Sequence, residues 1–256
     1  MTPLLETRGL SKTFGGLKAV QEVCLRVEAN RIVSVIGPNG AGKTTFFNCL
    51  SGIYRPDGGA ILLEGRDITG RPPHQVCKLG MARTFQNIRL FPEMSVLENV
   101  LVAQFQHRSI TPLPLLMRSK NFCSQEKQSR DEALGFLEFV GLARLADAVS
   151  SSLAYGLQRR LEIARALATK PRILLLDEPA AGMNPQEAVE MVQLISRIRD
   201  RGLAILLIEH HMKVVMTISD EILVLDHGVQ IAHGAPEKVR NDPQVIKAYL
   251  GEEVTH

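Results

Sequence analysis

The chain has 256 residues, 45% of them hydrophobic and 22% charged, which supplies an ample core for one large domain or two unequal lobes. A net charge of +3 with a pI near 8.7 is too small a surplus to argue for nucleic acid, and it leaves an anionic substrate open. No proline-free apolar run exceeds Leu203–Ile208, against the roughly 20 residues of a membrane helix, and no charged-then-apolar leader opens the sequence. Cys24, Cys49, Cys77 and Cys123 stand apart with no CxxC pair, which predicts reduced thiols and not a disulfide frame or zinc site. These readings together predict a soluble intracellular α/β protein.

In chain order, β-rich runs are expected at Leu4–Thr7, Val23–Glu28 and Ile32–Ile36, the last a continuous apolar run of the buried parallel kind that ends at a glycine cluster. A helix follows from that cluster to about Leu50, then a turn-rich stretch over 54–59 and a strand at Ala60–Leu63. From about Asn87 to Ser151 helical periodicity dominates, at Ser95–Gln106 and Gln125–Val140, with an irregular stretch over 108–124 that holds Pro112 and Pro114. Residues 106–130 carry five basic side chains (Arg108, Arg118, Lys120, Lys127, Arg130) against Glu126 alone. That run reads as a solvated face or as a surface near anionic lipid headgroups. Buried strands are expected again at Arg172–Leu176 and Leu203–Ile208, each before a helical pattern, so a parallel sheet with crossover helices is predicted. Strands at Glu221–Leu225 and Val229–Ala232 close the pattern through the turn Asp226-His227-Gly228. The expected division is an α/β lobe of residues 1–86 and 152–256 with a helical lobe, 87–151, inserted in it.

Gly37-Pro38-Asn39-Gly40-Ala41-Gly42-Lys43-Thr44 fits G-x-x-x-x-G-K-[ST], and Thr45 follows. A triphosphate needs converging donors, which glycines supply by letting backbone N–H groups close on it while the next helix aims its positive end there. Lys43 adds a point charge, and the Thr44 hydroxyl is of the type that ligates Mg²⁺. The motif sits between an expected strand and an expected helix, which is the context that makes it a nucleotide site. Ile173-Leu174-Leu175-Leu176-Asp177-Glu178 puts two acids at the end of a buried strand, where α/β sheets bind ligands. Asp177 reads as a Mg²⁺ partner through water and Glu178 as a general base for the attacking water.

With those two motifs in order, the chain resembles an ATP-binding cassette (ABC) ATPase over essentially its whole length. Arg83-Thr84-Phe85-Gln86 is similar to the glutamine loop, Leu153-Ala154-Tyr155-Gly156-Leu157 to the family signature, Gly182-Met183-Asn184-Pro185 to the loop through which two subunits communicate, and Ile208-Glu209-His210 to the histidine switch. Phe14, in Ser11-Lys12-Thr13-Phe14-Gly15-Gly16, matches the aromatic that stacks on adenine. Apart from the resemblance, a core aromatic is an alternative reading of Phe14, and a satisfied histidine at a strand end one of His210.

The resemblance implies a RecA-like P-loop α/β lobe with an N-terminal antiparallel β region, and ATP and Mg²⁺ as ligands, the metal held by Thr44, Gln86 and Asp177. It implies catalytic roles for Glu178, Gln86 and His210, and a signature (Leu153, Ala154, Tyr155, Gly156) that faces the ATP of a partner subunit. Ala82-Arg83-Thr84-Phe85-Gln86, Leu97-Glu98-Asn99-Val100, Arg159-Arg160-Leu161-Glu162 and Ala248-Tyr249-Leu250-Gly251-Glu252 look like the ATPases of branched-chain amino-acid uptake, in particular the first of the two in such systems. Partners implied are a second ATPase, two integral-membrane permease subunits and, indirectly, a periplasmic binding protein, with no nucleic acid; the implied place is the cytoplasmic face of the cell membrane. Related branches handle urea, short amides or lipopolysaccharide export. Soluble ABC ATPases without a permease usually carry two cassettes or coiled-coil insertions, and a P-loop kinase would leave the signature and His210 unexplained. Four positions depart from the family pattern, one of them Tyr155, which replaces a glycine. Ala154 lacks the usual serine hydroxyl, Leu157 stands where a polar residue is usual, and His211 follows the switch histidine where aspartate is usual. Ala154 predicts unequal ATP sites in a heterodimer, and no regulatory domain is expected after about Gly251.

Overall fold

The computed structural model describes residues 3–105 and 120–250, without the side chains of 120–123 and 250. Ten strands form one sheet: β1 (Leu5–Phe14), β2 (Leu17–Val27), β3 (Ile32–Ile36), β4 (Gly58–Leu63), β5 (Arg66–Asp67), β6 (Met81–Arg83), β7 (Ile173–Asp177), β8 (Ala204–Ile208), β9 (Glu221–Asp226) and β10 (Val229–Gly234), in the order β5-β4-β1-β2-β10-β9-β3-β8-β7-β6. The run β9-β3-β8-β7-β6 is parallel, while β5, β4, β1 and β2 pair antiparallel, as the sequence resemblance implied. The helices are α1 (Lys43–Leu50), α2 (Pro73–Lys78), α3 (Val96–Gln104), α4 (Lys120–Val140), α5 (Tyr155–Ala168), α6 (Pro185–Asp200), α7 (Met212–Ile218), α8 (Pro236–Arg240) and α9 (Pro243–Leu250).

Alternation along the parallel strands splits the core into two layers. Leu174, Leu176, Ile205 and Leu207 face a cluster that continues through α6 and α5 into Val96, Val100, Ala133 and Leu137 of α3 and α4, so the helical region shares one core with the sheet. Ile173, Leu175, Leu206 and Ile208 face the other way, onto Phe46, Phe47 and Leu50 of α1 and the antiparallel strands. A smaller cluster around Ile222, Val224, Val215 and Val239 closes the C-terminal end. Capping boxes start α3 (Ser95 with Glu98) and α6 (Asn184 with Glu187). Among the described residues no helix is long and apolar enough to cross a membrane.

Several expectations need correction. The first two strands run on to Phe14 and begin at Leu17, far past the predicted Leu4–Thr7 and Val23–Glu28, because register shifts after Thr7, Leu10 and Lys12 interrupt the apolar alternation that marks a strand. Gly58 and Gly59 belong to β4 and not to the turn before it. Residues 120–124, expected to be irregular, are the first turns of α4, while 106–119 of the basic stretch lie outside the described residues. Strand β6 was not foreseen, since three residues are too few to show a period. Cys24, Cys49 and Cys77 are free thiols, and burial pushes Cys49 up to about 11; the Cys123 side chain is outside the described set.

Candidate active site

The parallel register gathers the site at one sheet edge. Ile208 pairs with both Val35 of β3 and Asp177 of β7, so the residues that follow each strand, Gly37, Glu178 and Glu209, emerge side by side. Arg83 of β6 pairs with Leu175, and the Thr84 N–H donates to the Leu175 carbonyl at 2.9 Å, which brings Gln86 out at the same edge. This is the carboxyl end of a parallel sheet, the usual place for a ligand.

The loop after β3 is wedged between two strands. A Cβ on Gly37 would lie 2.0 Å from the Leu225 carbonyl oxygen, and one on Gly42 2.2 Å from that of Ala19, at a φ of +96°. Gly40, by contrast, has nothing within 4 Å of a Cβ and faces open space. Lys43 Nζ donates to the carbonyls of Gly37 (2.6 Å) and Pro38 (2.8 Å) across the top of the loop. The Gly228 N–H donates to the Ala41 carbonyl at 3.0 Å, so the β9–β10 turn buttresses the loop from the side. That turn has positive φ at both His227 (45°) and Gly228 (80°), the type I′ geometry of a two-residue hairpin. Its docking onto the loop had no signal in the sequence beyond the turn itself.

A cavity of about 400 Å³ opens over this loop, within the usual range for a small-molecule site. Asn39 to Thr45 form its floor, Phe14, Leu17, Lys18 and Ala19, with His227 and Gly228 packed against them, one wall, and Gln86 and Glu178 the rest of the lining. Phe14 is 41% exposed at the hairpin end of β1, edge-on to Tyr54 with ring centroids 5.2 Å apart, which removes the core-aromatic alternative.

Opposite the loop, Gln86 Nε2 donates to Glu178 Oε2 at 3.0 Å, and His210 Nδ1 stands 3.6 Å from Glu178 Oε1. Glu178 itself sits at a φ of 49° and donates its N–H to Ile208, which fixes the carboxylate over the cavity. Asp177 lies beneath the wall, buried, with Oδ2 paired to Arg83 Nη2 at 2.8 Å. Arg83 also donates to Asn48 Oδ1 (2.7 Å) and Ser51 Oγ (2.9 Å), and its guanidinium lies over the rings of Phe47 and Phe85. Burial pushes the Asp177 carboxyl up and the Arg83 guanidinium down, while each opposes the shift in the other. The oxygens of Thr44, Gln86 and Asp177 are hard donors of the kind Mg²⁺ takes, often with waters between, so this donor set fits that ion.

The segment Leu153-Ala154-Tyr155-Gly156 starts α5 outside the cavity wall, with Ala154 and Tyr155 exposed and Leu153 and Gly156 buried. Leu157 turns away from it and packs against the larger core, which accounts for an apolar residue there. Sequence reasoning missed how this helix holds the glutamine loop. The buried Arg159 donates to the carbonyls of Phe85 (2.5 Å) and Gln86 and to the Tyr155 hydroxyl (2.9 Å), while Glu162 Oε1 accepts from the Phe85 N–H at 3.2 Å. Burial raises the Glu162 carboxyl, offset by the Phe85 N–H and Arg159. The only hint in the sequence was an arginine and a glutamate three apart beside the signature.

Comparison with known proteins places the chain in a family. Residues 20–181 fit the family model described as ABC transporter, and 229–255 that of the branched-chain amino acid ATP-binding cassette transporter. The chain is 52% identical to the high-affinity branched-chain amino acid transport ATP-binding protein BraF of Pseudomonas aeruginosa and 51% identical to LivG of Escherichia coli K12, each over 98% of both chains. A crystal structure of an ABC transporter cassette in its ADP conformation superposes with a TM-score of 0.84 at 32% identity, over 98% of this chain and 100% of that one. Fold and site thus define an ABC ATPase, a nucleotide-binding protein that hydrolyses ATP to drive transport. The chain belongs to the ABC transporter family, in its branch of branched-chain amino acid transport ATP-binding proteins.

Proposed function

We propose that this chain binds Mg·ATP in the cavity between Phe14 and Glu178 and uses its hydrolysis to power uptake of branched-chain amino acids. The observation that carries this reading is the single cavity that unites Phe14, the Gly37–Thr44 loop, Gln86 and Glu178. Phe14 stacks on the base, and the backbone N–H groups of Asn39 to Thr45 hold the phosphates. Lys43 gives up its loop carbonyls for the β- and γ-phosphate oxygens. Thr44, Gln86 and, through water, Asp177 would hold Mg²⁺, which would supply neutralising charge to the phosphates. Glu178 takes the proton of the attacking water, with Gln86 on one carboxylate oxygen and His210 beside the other. Ala154 and Tyr155 at the start of α5 face the nucleotide of a second, different ATPase subunit, so ATP joins the two. Two permease subunits receive the motion, a periplasmic binding protein delivers the solute, and this chain sits on the cytoplasmic face of the membrane.

Glu178→Gln tests the base. With the partner subunit present, the variant should keep ATP-induced association and lose at least a hundredfold in phosphate release; turnover at the wild-type rate would remove Glu178 from that role. Pull-down from solubilised membranes should bring down a second ATPase and two permeases. Recovery of the chain alone would break the transport assignment.

A further inference from the structure

Glu209, His210 and His211 follow β8 directly, and their side chains converge. Glu209 Oε2 lies 3.7 Å from His210 Nδ1 and 3.5 Å from His211 Nδ1, and the two rings are 4.3 Å apart at a tilt of 36°. One ligand atom from each residue falls within 4.8 Å of those of the other two. Separations of 3.5–3.7 Å are long for hydrogen bonds. They are close to the edge of about 3.3–3.6 Å between neighbouring donors in tetrahedral coordination with bonds of about 2.0–2.2 Å.

The carboxylate itself asks for a cation. Glu209 is fully buried, and its Oε2 accepts from the His210 and His211 N–H groups at 2.8 and 3.4 Å. Its Oε1 is shielded from solvent with no hydrogen-bond partner. The charged partners within reach of this carboxylate are the two imidazoles, with no lysine or arginine paired to it among the described residues. A dry carboxylate is costly unless neutralised, and an ion held between Oε2 and the two imidazoles supplies that charge. The two imidazoles are half-exposed (side chains 50% and 54% accessible), which leaves a path for entry and room for water ligands.

We propose that Glu209, His210 and His211 form a binding site for one divalent transition-metal ion of the zinc type. Two imidazoles and a carboxylate select such an ion over Mg²⁺, which prefers oxygen donors alone. The nucleotide-binding arrangement makes no use of His211, so the site adds to that function and does not repeat it. Occupancy has one direct consequence. His210 Nδ1 is the atom 3.6 Å from Glu178 Oε1, and as a metal ligand it is withdrawn from Glu178. Zinc therefore inhibits hydrolysis, an effect that rests on the proposed role of Glu178.

The test uses the nucleotide-free full chain, titrated with ZnCl₂ against a chromophoric zinc indicator. One ion per chain should bind with a Kd below about 10 μM. His211→Asn, whose side chain caps α7 well, should weaken binding at least tenfold with an unchanged circular dichroism spectrum. Co²⁺ should give a visible spectrum without a thiolate charge-transfer band, which separates this site from Cys24. Equal affinity in His211→Asn, or a thiolate band, overturns the site. In the assembled transporter, micromolar Zn²⁺ should inhibit phosphate release in the presence of excess Mg·ATP, with at least tenfold more needed for His211→Asn. Unchanged phosphate release at saturating Zn²⁺ overturns the inhibitory effect while the binding data still decide the site.

Discussion

The Gly37–Thr44 loop and the Leu153–Gly156 segment both precede a helix, yet they are held in opposite ways. The first is built largely from its own backbone and two neighbouring strands: Gly37 and Gly42 press on the carbonyls of Leu225 and Ala19, and Lys43 folds back over the loop. The second has no side-chain cap of its own. Other elements hold it: the Tyr155 ring lies against Gly182, the Glu187 carboxylate reaches over Gly156, and Arg159 ties Tyr155 to the glutamine loop. A loop packed this tightly by backbone is rigid before any ligand arrives, which suits a phosphate cradle. A segment fixed by side chains from three directions moves with them. That difference couples the start of α5 to the Gln86–Glu178 pair through Arg159, whereas the Gly37–Thr44 loop stands apart from both.

The comparison can be broken from either side. Gly42→Ala should have the largest effect, since its Cβ has no room beside Ala19 and the φ of +96° disfavours any side chain. A loss of several kcal/mol in thermal unfolding, together with loss of ATP binding by titration calorimetry, is expected. Normal ATP affinity would show that the loop has slack which the geometry does not reveal. Next comes Arg159→Met, which strips the carbonyls of Phe85 and Gln86 of their donor and leaves Glu162 buried without its cation. Stability should fall by about 3 kcal/mol. Turnover should fall about tenfold while ATP affinity holds, because the phosphate loop is untouched. An equal change in affinity and turnover would mean that the arginine only supports the fold.

Phe14→Ala sharpens the other wall of the cavity. Stacking on a base is typically worth about 1–3 kcal/mol, so ATP should bind roughly tenfold more weakly, with little change in melting temperature for a side chain already 41% exposed. Tyr155→Phe should be the mildest. It removes one hydroxyl that accepts from Arg159, worth about 0.5–1.5 kcal/mol, and should lower turnover less than Arg159→Met does. A larger effect than that of Arg159→Met would place the hydroxyl itself against the partner's nucleotide.

Much of the site was legible because its chemistry is local. Gly37 to Thr44 is eight consecutive residues, and the apolar run Ile173–Leu176 announces both its strand and the acids that end it. The starts of α3 and α6 were legible for the same reason, since Ser95 with Glu98 and Asn184 with Glu187 are reciprocal bonds three residues apart. Strand β6 was not, because three residues carry no period, and with it went any independent reason to place Gln86 beside Glu178. The length of β1 and β2 was hidden by bulges that shift the apolar face. The role of Arg159 and Glu162 was hidden because their partners, Phe85 and Gln86, lie more than seventy residues earlier in the chain.

By itself the amino-acid sequence determined the phosphate loop, the strand that carries Asp177, the helices that are capped within one turn, and the family these order together. Each of these depends on residues a few positions apart, whose backbone dihedrals, hydrogen bonds and burial are constrained within one segment. Tertiary structure alone decided that Phe14, His227 and Glu178 share one cavity, that Asp177 is paired with Arg83, that Leu157 turns inward, and that Glu209 is sealed beside two histidines. Those arrangements come from strand register and from the burial of charged groups against partners distant in sequence, and a carboxylate's need for a counter-charge becomes visible only once the fold has removed its water.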